Sequence, residues 1–401
     1  MTQASSSTNP HICVLGGGFG GLYTALNLTQ YSWQSPQRPH ITLVDQRDRF
    51  LFSPLLYELL TGEMQTWEIA PPYTELLANT GIHFQQSGVD SIDLENKTVH
   101  LHDAPDISYD YLVLALGGET PLHFVPGAED HAIPFRTIAD AYRLEERLRE
   151  LEQSDAEKIR VAIAGGGYSG VELACKLAER LGDRGRIRIV ERADQILRTS
   201  PEFNRNAAQK ALDDGGVWVD LETNLTEIAA DSITLEYKDQ VDTIPVDIVM
   251  WTVGTKVADV ITQLPLPFNE RQQVSITSTL QVVDHPEIFA LGDLADCRDA
   301  TGQTVPTTAQ VALQQAQYAA WNLRALAMGR SLLPFRYQHL GEMMTLGTDI
   351  ATLAGLGMTL DGPLAHVARR LAYLYRMPTL DHQIKVGLNW IAKPVRDLLA
   401  L

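Results

Sequence analysis

One pattern, an apolar strand that enters a glycine turn and continues as a helix, occurs twice in this chain and constrains its fold more than any other feature. The first copy runs from His11 through Leu15 into Gly-Gly-Gly-Phe-Gly-Gly, spaced G-x-G-x-x-G. In this spacing the first glycine makes a tight turn, the second lets the backbone approach a pyrophosphate, and the third packs the helix on the strand. The free N–H groups at the helix start would face the pyrophosphate. The pattern predicts a dinucleotide site at Gly16, Gly18, Phe19, Gly20 and Gly21.

An acidic residue ends the second strand of this first copy. The apolar segment 40–44 is followed by Asp45, 24 positions after Gly21 (45 minus 21). A carboxylate at about this distance binds the ribose in dinucleotide-binding folds, and Asp45 is predicted to do so. The alternative is that Asp45 caps the turn that follows it.

The second copy begins with the strand 160–164 and repeats the parts of the first copy in the same order. Its first glycine follows that of the first copy by 149 positions (165 minus 16), and its second strand ends at Glu191, 21 positions after Gly170 (191 minus 170). Two matches to the whole pattern predict two dinucleotides, most simply a resident FAD and a transient NAD(P)H. The predicted turn residues of the second site are Gly165, Gly167, Tyr168 and Gly170.

Three further apolar strands end in glycine, where the backbone can approach a ligand closely. Segment 111–115 runs into Gly117, segment 246–253 into Gly254, and segment 288–291 into Gly292-Asp293. We therefore predict an α/β protein with two Rossmann-like domains, the NAD(P)H domain being inserted into the FAD domain. The predicted bounds are 1–135 and 255–335 for the FAD-binding domain, 136–254 for the NAD(P)H-binding domain, and 336–401 for a C-terminal amphipathic helical region.

Composition excludes several classes of protein. The net charge of -18 argues against nucleic acid as a partner. Cys13, Cys175 and Cys297 form no C-x-x-C pair, so neither a disulfide framework nor a metal site is expected, and a reducing compartment is favoured. Residues 1–10 show no signal-peptide pattern, and there is no uninterrupted apolar run of about 18 residues, the length that spans a bilayer.

Several motifs together resemble one group of flavoproteins. The two glycine turns with Asp45 and Glu191, the segment 114–117 and the segment 290–293 are similar to those of the two-dinucleotide-binding flavoprotein superfamily. Three more segments resemble type II NAD(P)H:quinone oxidoreductases, and most of all their cyanobacterial and plastid branch, which is linked to naphthoquinone reduction. These segments are Phe52–Glu58, Trp251–Lys256 and Pro306–Gln315. The resemblance covers nearly the whole chain.

The resemblance implies an enzyme that passes hydride from NAD(P)H to FAD and two electrons on to a membrane quinone, of the demethylnaphthoquinone or phylloquinone type. In this family Asp293 would contact the ribityl chain of the flavin, and Glu172 would lie over the nicotinamide. Gln310 and Gln314 share one face of a helix and are implied near flavin and quinone. Further cofactor contacts are expected at Val89, Ala115, Gly117, Arg192 and Gly254.

Simpler interpretations of these polar residues stay open. Glu172 is in the first turn of its helix, where an acidic side chain is favoured by the helix dipole alone. Gln310 and Gln314 can equally belong to an ordinary solvated face.

The cysteines separate this family from its neighbours. Disulfide reductases of the superfamily need a redox Cys pair on the helix after the second strand, because a thiolate must attack from beside the flavin. Segment 50–60 contains no Cys, which also excludes the single-cysteine peroxidases and oxidases. Sulfide:quinone reductases need cysteines facing the flavin and have no nicotinamide site. Cys297, four residues after Asp293 (297 minus 293), is expected to be structural.

Two neighbouring residues bear on the choice of electron donor. The carboxylate of Glu191 suits the 2'-hydroxyl of NADH and repels the 2'-phosphate of NADPH by about 1–3 kcal/mol. Arg192 can accommodate that phosphate. We expect NADH to be preferred and NADPH to be usable.

The C-terminal region is basic on an otherwise acidic protein. Residues 363–401 carry six basic and two acidic residues, a local charge of +4, so residues 1–362 carry -22 (-18 minus 4). The charged residues are Arg369, Arg370, Arg376, Lys385, Lys393 and Arg396, with Asp381 and Asp397. Leu364, Val367, Ala368, Leu371, Leu374 and Tyr375 line one side of a first helix, and Ile384, Leu388, Trp390, Ile391 and Val395 form a second apolar set.

A basic amphipathic helix with an aromatic fringe is typical of a segment that lies on an anionic membrane surface. Such a position also suits an enzyme that collects a quinone from the bilayer. The alternatives are packing against the body of the protein and a homodimer interface. We expect a peripheral membrane protein on the cytoplasmic, stromal or thylakoid-facing side, or a cytoplasmic protein.

Two other functions compete with quinone reduction. One is a soluble reductase that hands electrons to a ferredoxin- or rubredoxin-like protein, for which a basic docking face near the flavin would be needed. The other is a redox-sensing flavoprotein that binds NAD(P)H as a signal and turns over slowly.

Overall fold

The computed structural model describes residues 9–33 and 38–399, with side chains as far as Lys393 in the last helix. Residues 1–8 and the side chains of Val395, Arg396 and Asp397, which the sequence patterns above include, lie outside the described residues.

Strands, singly or in runs, alternate with helices along the described chain. In chain order they are β1 (His11–Leu15), β2 (His40–Asp45), β3 (His83–Gln86), β4 (Val89–Asp93), β5 (Thr98–Leu101), β6 (Ala104–Ser108), β7 (Tyr111–Leu114), β8 (Gly118–Glu119), β9 (Ala132–Pro134), β10 (Ile159–Ala164), β11 (Gly185–Val190), β12 (Trp218–Asp220), β13 (Asn224–Ile228), β14 (Ser232–Tyr237), β15 (Gln240–Pro245), β16 (Ile248–Trp251), β17 (Lys256–Val257), β18 (Val274–Ser275), β19 (Gln281–Val282), β20 (His285–Ala290), β21 (Ala295–Asp296), β22 (Glu342–Thr345), β23 (Ala351–Gly355) and β24 (Met358–Asp361).

The helices include two that directly follow the glycine turns. In chain order they are α1 (Phe19–Gln30), α2 (Thr66–Ile69), α3 (Tyr73–Leu76), α4 (Ala128–His131), α5 (Ile138–Gln153), α6 (Tyr168–Leu181), α7 (Glu202–Asp214), α8 (Asp259–Thr262), α9 (Ala309–Ala327), α10 (Gly362–Arg376) and α11 (Leu380–Leu399), with 3-10 turns at Ser53–Leu59, Gly182–Arg184 and Gly292–Leu294.

The described chain divides into two compact units. The first takes in the described part of Met1–Phe50, with Ala70–Glu119 and Thr255–Gln338. The second takes in Leu51–Ile69, Thr120–Gly254 and the described part of His339–Leu401.

The first unit is built on a six-stranded sheet in the order β19-β20-β7-β1-β2-β3. β1 pairs in parallel with β2 on one side and with β7 on the other. Every residue from Ile12 to Leu15 is fully buried, as expected of a parallel strand covered on both faces. Helix α1 lies against α9. The carboxyl ends of β1, β2 and β7 therefore share one edge, where ligands bind in folds of this kind.

The second unit repeats this design with a five-stranded parallel sheet in the order β12-β11-β10-β16-β9. Helix α5 begins at a capping box, in which Thr137 and Asp140 satisfy each other's backbone N–H groups. The unit also contains two three-stranded antiparallel sheets, β13-β14-β15 and β22-β23-β24. The chain ends in α10 and α11.

The predicted α/β class, with two sheets built mainly from parallel strands and helices at the C-terminal end, is confirmed. The domain bounds stay a prediction, and the two compact units differ from them in three segments. The segments 51–69, 120–135 and 339–401 cluster with the second unit. Side-chain pairs between residues far apart in sequence hold the first and third of these segments to that unit, as described below.

Candidate functional site

The first glycine turn has the shape that a dinucleotide requires. Gly16 has φ +97°, and a Cβ on it would lie 2.3 Å from the Ala115 carbonyl oxygen. A Cβ on Gly21 would lie 1.8 Å from the Gly16 oxygen. Gly18, at the start of α1, has no atom within 4 Å of the Cβ position. The turn is therefore closed on the strand side and open in front of the helix, which fits a pyrophosphate held by backbone N–H groups.

The second glycine turn has the same geometry. Gly165 has φ +103°, and a Cβ on Gly170 would lie 1.9 Å from the Gly165 oxygen. Gly167 again has open space at its Cβ position. The duplication seen in the sequence is therefore a duplication of backbone shape, and both turns fit a dinucleotide.

The acidic residues after the second strands fasten these turns. Asp45 Oδ2 accepts a hydrogen bond from Gly17 N at 2.7 Å, and its Oδ1 accepts one from Arg47 N at 2.9 Å. Glu191 does the same with Gly166 N and Ala193 N, both at 2.7 Å. Each carboxylate thus binds the N–H of a glycine in the preceding glycine turn and the N–H of the residue two positions after itself. The latter bond caps the turn that follows the strand, which is the alternative role given for Asp45. Binding of ribose by the same carboxylates stays a prediction.

Tyr73 is a residue of the first site that the sequence did not single out. Its buried hydroxyl donates to the Gly17 carbonyl at 2.8 Å, and burial raises its pKa. A Cβ on Gly17 would lie 2.1 Å from that hydroxyl. The middle glycine of the run 16–18 is therefore required by Tyr73, a contact between residues 56 positions apart.

The strand end at Gly292 is held by a residue next to those predicted. Gly292, with φ +73°, donates its N–H to Gln315 Oε1 at 2.8 Å. Gln315 is 1% exposed. The Asp293 carbonyl accepts from Gln273 Nε2 at 2.9 Å. Helix α9 begins nearby, with the Thr308 side chain as its N-cap.

The two predicted glutamines of α9 both contact one short segment. Gln310 Oε1 accepts from the Tyr337 hydroxyl at 3.0 Å. Gln314 makes two hydrogen bonds with the backbone of Gln338, at 2.8 and 3.0 Å. They therefore share one face, as predicted, and that face holds the segment 337–338.

Most of the remaining predicted contact residues of the first unit lie around the glycine turn, whereas Val89 does not. Ala115 is buried and donates its N–H to the Leu15 carbonyl, and Gly117 has φ +71° with open space around it. Phe19 lies against Phe50. Val89 lies in β4, which pairs with β5 in a separate antiparallel sheet. Gly20 packs close to Leu291.

In the second unit, Tyr168 extends from the glycine turn towards two other elements. Its hydroxyl forms close contacts with Ser200 and with Glu342 of β22. Arg192 is exposed beside Glu191. Gly254 has φ +82° at the end of β16 and lies against Pro121.

Glu172 is buried in the first turns of α6, with 7% of its surface exposed. Its Oε1 accepts from the Thr345 N–H at 2.9 Å and lies 3.8 Å from Arg369 Nη2. Burial raises the pKa of Glu172 to about 7, although Arg369 and the Thr345 N–H act in the opposite direction. A carboxyl group with this pKa can gain or lose a proton near neutral pH.

A cluster of buried charges adjoins Glu172, and sequence reasoning missed it. Arg369 and Glu58 are fully buried and form an ion pair at 2.5 Å. Lys176, also fully buried, contacts Glu63, and Arg370 lies 3.3 Å from the same carboxylate. These pairs join α6 and α10 to the segment 53–63. The only signal in the sequence is the regular spacing of Glu58, Glu63 and Glu68.

Glu68 completes this series by binding the last helix. It is 1% exposed, and its Oε1 accepts from Asn389 Nδ2 at 3.0 Å and from Trp390 Nε1 at 2.9 Å. The ring of His382 also bonds to the Glu68 carbonyl. The segment 58–68 thus holds three buried glutamates, and each binds a group from α10 or α11.

The expectation that the basic side chains of α10 meet an anionic surface is therefore wrong for Arg369 and does not describe Arg370. Arg369 is fully buried against Glu58, and Arg370 points to Glu63 and stacks on Trp390. The side of α10 that packs inward is the polar one, because a buried glutamate needs a cationic partner. The apolar side, with Leu364, Val367, Leu371 and Tyr375, is exposed.

The cysteines have the properties of structural residues. All three are unpaired and buried. Burial raises the pKa of Cys13 and Cys175 to about 12 and that of Cys297 to about 11. Thiolates are therefore disfavoured at each position, and thiol-based redox chemistry has no reactive nucleophile there.

Comparison with known proteins identifies the family. The family model described as pyridine nucleotide-disulphide oxidoreductase matches residues 10–316. A demethylphylloquinone reductase, NdbB, of Synechocystis sp. is 58% identical over all of this chain and 99% of its own. An alternative NAD(P)H-ubiquinone oxidoreductase C1, chloroplastic/mitochondrial, of Arabidopsis thaliana is 44% identical over 98% of this chain and 82% of its own.

The fold is also that of a solved structure. NDH2 from Plasmodium falciparum, solved in complex with NADH, superimposes with a TM-score of 0.85 over 96% of this chain and 98% of its own, at 16% identity. The geometry of both glycine turns, the family match and the two similar relatives all indicate a protein that binds two dinucleotides. This chain therefore belongs to the pyridine nucleotide-disulphide oxidoreductases and, within them, to the NAD(P)H:quinone oxidoreductases, flavoenzymes with FAD and NAD(P)H as cofactors.

Proposed function

We propose that this enzyme oxidises NADH, uses NADPH less well, and reduces a naphthoquinone of the demethylphylloquinone class. The observation that carries the proposal is the 58% identity, over the whole chain, to a demethylphylloquinone reductase. A quinone acceptor is also in keeping with the absence of a reactive cysteine among the described residues.

The first unit has the residues to hold FAD. Gly16, Gly18 and Gly21 would receive the pyrophosphate, Asp45 the ribose, and Asp293 the ribityl chain. When bound, FAD supplies two-electron chemistry, taking hydride from NAD(P)H and passing two electrons to an acceptor. Helix α9 binds Gly292 through Gln315, and the positive end of this helix would be aimed at the flavin.

The second unit would hold the nicotinamide dinucleotide through Gly165, Gly167 and Gly170, with Glu191 at the ribose. Glu172, two positions beyond the third glycine, would lie over the nicotinamide. Its burial and its pKa of about 7 suit a group that adjusts its charge during turnover. Gln310 and Gln314 would lie near flavin and quinone, held in place by their bonds to Tyr337 and Gln338.

The exposed apolar side of the last two helices would lie on a membrane. In α10 it includes Leu364, 74% exposed, and Tyr375, 82% exposed, and in α11 it includes Ile391, 75% exposed. In α10 the polar side faces inward and the apolar side outward, the reverse of a soluble surface helix, and in α11 the apolar Ile384, Leu388 and Ile391 are also exposed. A lipid surface satisfies this arrangement. A homodimer interface would cover the same residues.

The helices would bind to one face of the bilayer without crossing it. No helix in the described ranges is long and apolar enough to span a membrane. The three unpaired cysteines are those of a reducing compartment, which supports a position on a cytoplasmic or stromal, thylakoid-facing side.

A panel of acceptors tests the proposed substrate. The purified, FAD-loaded protein is given NADH and, in parallel, demethylated naphthoquinones, methylated naphthoquinones, benzoquinones, ferredoxin and rubredoxin. We expect the highest kcat/KM with the demethylated naphthoquinones. Turnover with ferredoxin or rubredoxin alone would support a soluble reductase, and slow turnover with every acceptor would support a redox sensor.

A further inference from the structure

Arg369 is the largest fully buried side chain among the described residues. Its guanidinium donates to Glu58 Oε1 at 2.5 Å and to the Pro54 carbonyl at 2.8 Å. The same Nη2 that bonds Pro54 lies 3.8 Å from Glu172 Oε1. One buried cation is thus shared by two buried carboxylates, and the nearer one is Glu58.

The two carboxylates differ in their surroundings. Burial acts to raise the pKa of Glu58, but Arg369 and Lys176 hold it below its ordinary value, so Glu58 is ionised at neutral pH. Glu172 has a longer contact with Arg369, and burial outweighs that contact. Glu58 also repels a negative charge on Glu172 directly. The pKa of each carboxyl group therefore depends on how closely Arg369 approaches it.

The other charged and titratable groups that face Glu172 come from four elements. They are Lys176 and Cys175 of α6 itself, Tyr168 at its start, Tyr57 of the 3-10 turn Ser53–Leu59, and Tyr373 of α10, together with the Thr345 N–H of β22. Of these side chains only Lys176 is cationic, and it forms an ion pair with Glu63 and a hydrogen bond to the Gly347 carbonyl. Arg369 is the cation with the larger effect on Glu172.

We propose that Arg369 is a positioning residue that controls the ionisation of Glu172, acting through the buried chain Glu58–Arg369–Glu172. This inference rests on the proposed role of Glu172 in the reaction, but the ionisation itself can be measured without turnover. Opposite charges at this separation in a buried site shift an acid by about 1–3 pH units. Neutralising Arg369 removes an attraction, whereas neutralising Glu58 removes a repulsion and releases Arg369 towards Glu172.

The two neutralising substitutions are therefore expected to shift the pKa of Glu172 in opposite directions, and this difference in sign is the test. The carboxyl band of Glu172 is followed with pH by infrared difference spectroscopy of the FAD-loaded protein. For each variant, the spectrum of the same variant that also carries Glu172→Gln is subtracted, so that only the Glu172 band remains. Arg369→Gln is expected to raise the midpoint by at least about 1 pH unit, and Glu58→Gln to lower it. Arg369→Lys keeps the charge and is expected to bring the midpoint back towards that of the wild type.

Arg370→Gln is the matched control. Arg370 is the next residue of the same helix and is also cationic, but its partner is Glu63. It is expected to leave the Glu172 midpoint unchanged. Equal shifts from Arg370→Gln and Arg369→Gln, or shifts of the same sign from Arg369→Gln and Glu58→Gln, would overturn the proposal, because general damage to the site has no reason to act with opposite signs.

Circular dichroism reports whether each variant folds. If Arg369→Gln does not fold, the test rests on Glu58→Gln. A Glu172 midpoint in that variant that equals or exceeds the midpoint of the wild type would then overturn the proposal. Quinone reduction is measured on the same samples. Full activity of Glu172→Gln with opposite midpoint shifts in the other two variants would contradict the proposed role of Glu172 and leave the control by Arg369 intact.

Discussion

Glu172 shows how a single buried carboxyl group can make stability depend on pH. Its ordinary pKa of 4.5 is raised to about 7 in the folded chain, first by burial. Between these values the unfolded chain releases the proton while the folded chain keeps it, so the folded state loses stability as the pH rises. The loss is at most about 3 kcal/mol and is complete above the folded pKa.

Glu172→Gln should remove this pH dependence. We expect the variant to have nearly the same apparent Tm as the wild type at pH values below the ordinary pKa, and a higher one at pH 8. Thermal unfolding followed by circular dichroism across this range measures the difference. An equal difference between the two proteins at every pH would show that Glu172 does not ionise in this window.

The proposed preference for NADH over NADPH also depends on one residue, Glu191. Its two oxygens are held by Gly166 N and Ala193 N, so the carboxylate is fixed in place. We expect the wild type to favour NADH over NADPH by about 5- to 150-fold in kcat/KM, the equivalent of about 1–3 kcal/mol. Glu191→Gln keeps an acceptor oxygen but loses the charge, and should bring the two donors close to equality.

Steady-state kinetics with both donors provide the comparison. Glu129→Gln, an exposed acid of α4, is the control and should keep the preference of the wild type. A Glu191→Gln variant with an unchanged preference would show that the carboxylate does not face the 2'-position.

Residues whose role depends on local chain geometry are the ones that the sequence can predict. The spacing of Gly16, Gly18 and Gly21 predicts the turn that the structure shows, because strand, turn and helix are contiguous. The helical pattern places Arg369 away from the apolar side of α10 but does not show that it is buried, because its partner Glu58 is 311 positions away. Gln315 is missed beside Gln314 because one helical position decides which side chain faces Gly292.

At the scale of elements, α10 is an amphipathic helix with its polar side inward, and α11 exposes apolar side chains while burying His382 and Val386. Three buried glutamates, Glu58, Glu63 and Glu68, accept from them, and this fixes which side faces out. The sequence periodicity predicts the apolar stripe of α10, whose Leu364, Val367, Leu371 and Tyr375 are exposed. It does not show what the polar side contacts, because that depends on a segment about 300 residues earlier.

Replacing the apolar residues of α10 tests the membrane contact without disturbing the buried glutamates. The triple variant Leu364→Ser, Leu371→Ser and Tyr375→Ser changes only side chains that are 60% exposed or more. We expect it to lose most of its binding to vesicles of anionic lipid while keeping its fold, because apolar burial drives the contact.

Vesicle co-sedimentation, with Val241→Ser as control, measures this loss. Val241 is also apolar and is 63% exposed, but it lies in β15, away from the two helices in sequence. Undiminished binding of the triple variant would reject the membrane face. A change from dimer to monomer in light scattering would assign the face to a homodimer instead.

At the scale of the whole molecule, duplication makes the architecture predictable. The two glycine turns predict two Rossmann-like domains, and two sheets with parallel strands around β1 and β10 are present. The sequence does not predict in the same way that the segments 51–69 and 339–401 belong to the second compact unit. They carry no copy of the motif, and long-range ion pairs and hydrogen bonds decide their place.

The central claim is that two dinucleotide sites pass electrons from NAD(P)H to a quinone. The most direct measurement is anaerobic and sequential: a stoichiometric amount of NADH is added to the purified, FAD-loaded protein, and a demethylated naphthoquinone follows once the flavin is reduced. We predict that NADH bleaches the flavin absorbance and that the quinone restores it within one turnover. Flavin that is bleached by NADH but stays bleached with every quinone, and recovers only with ferredoxin or rubredoxin, would contradict the claim.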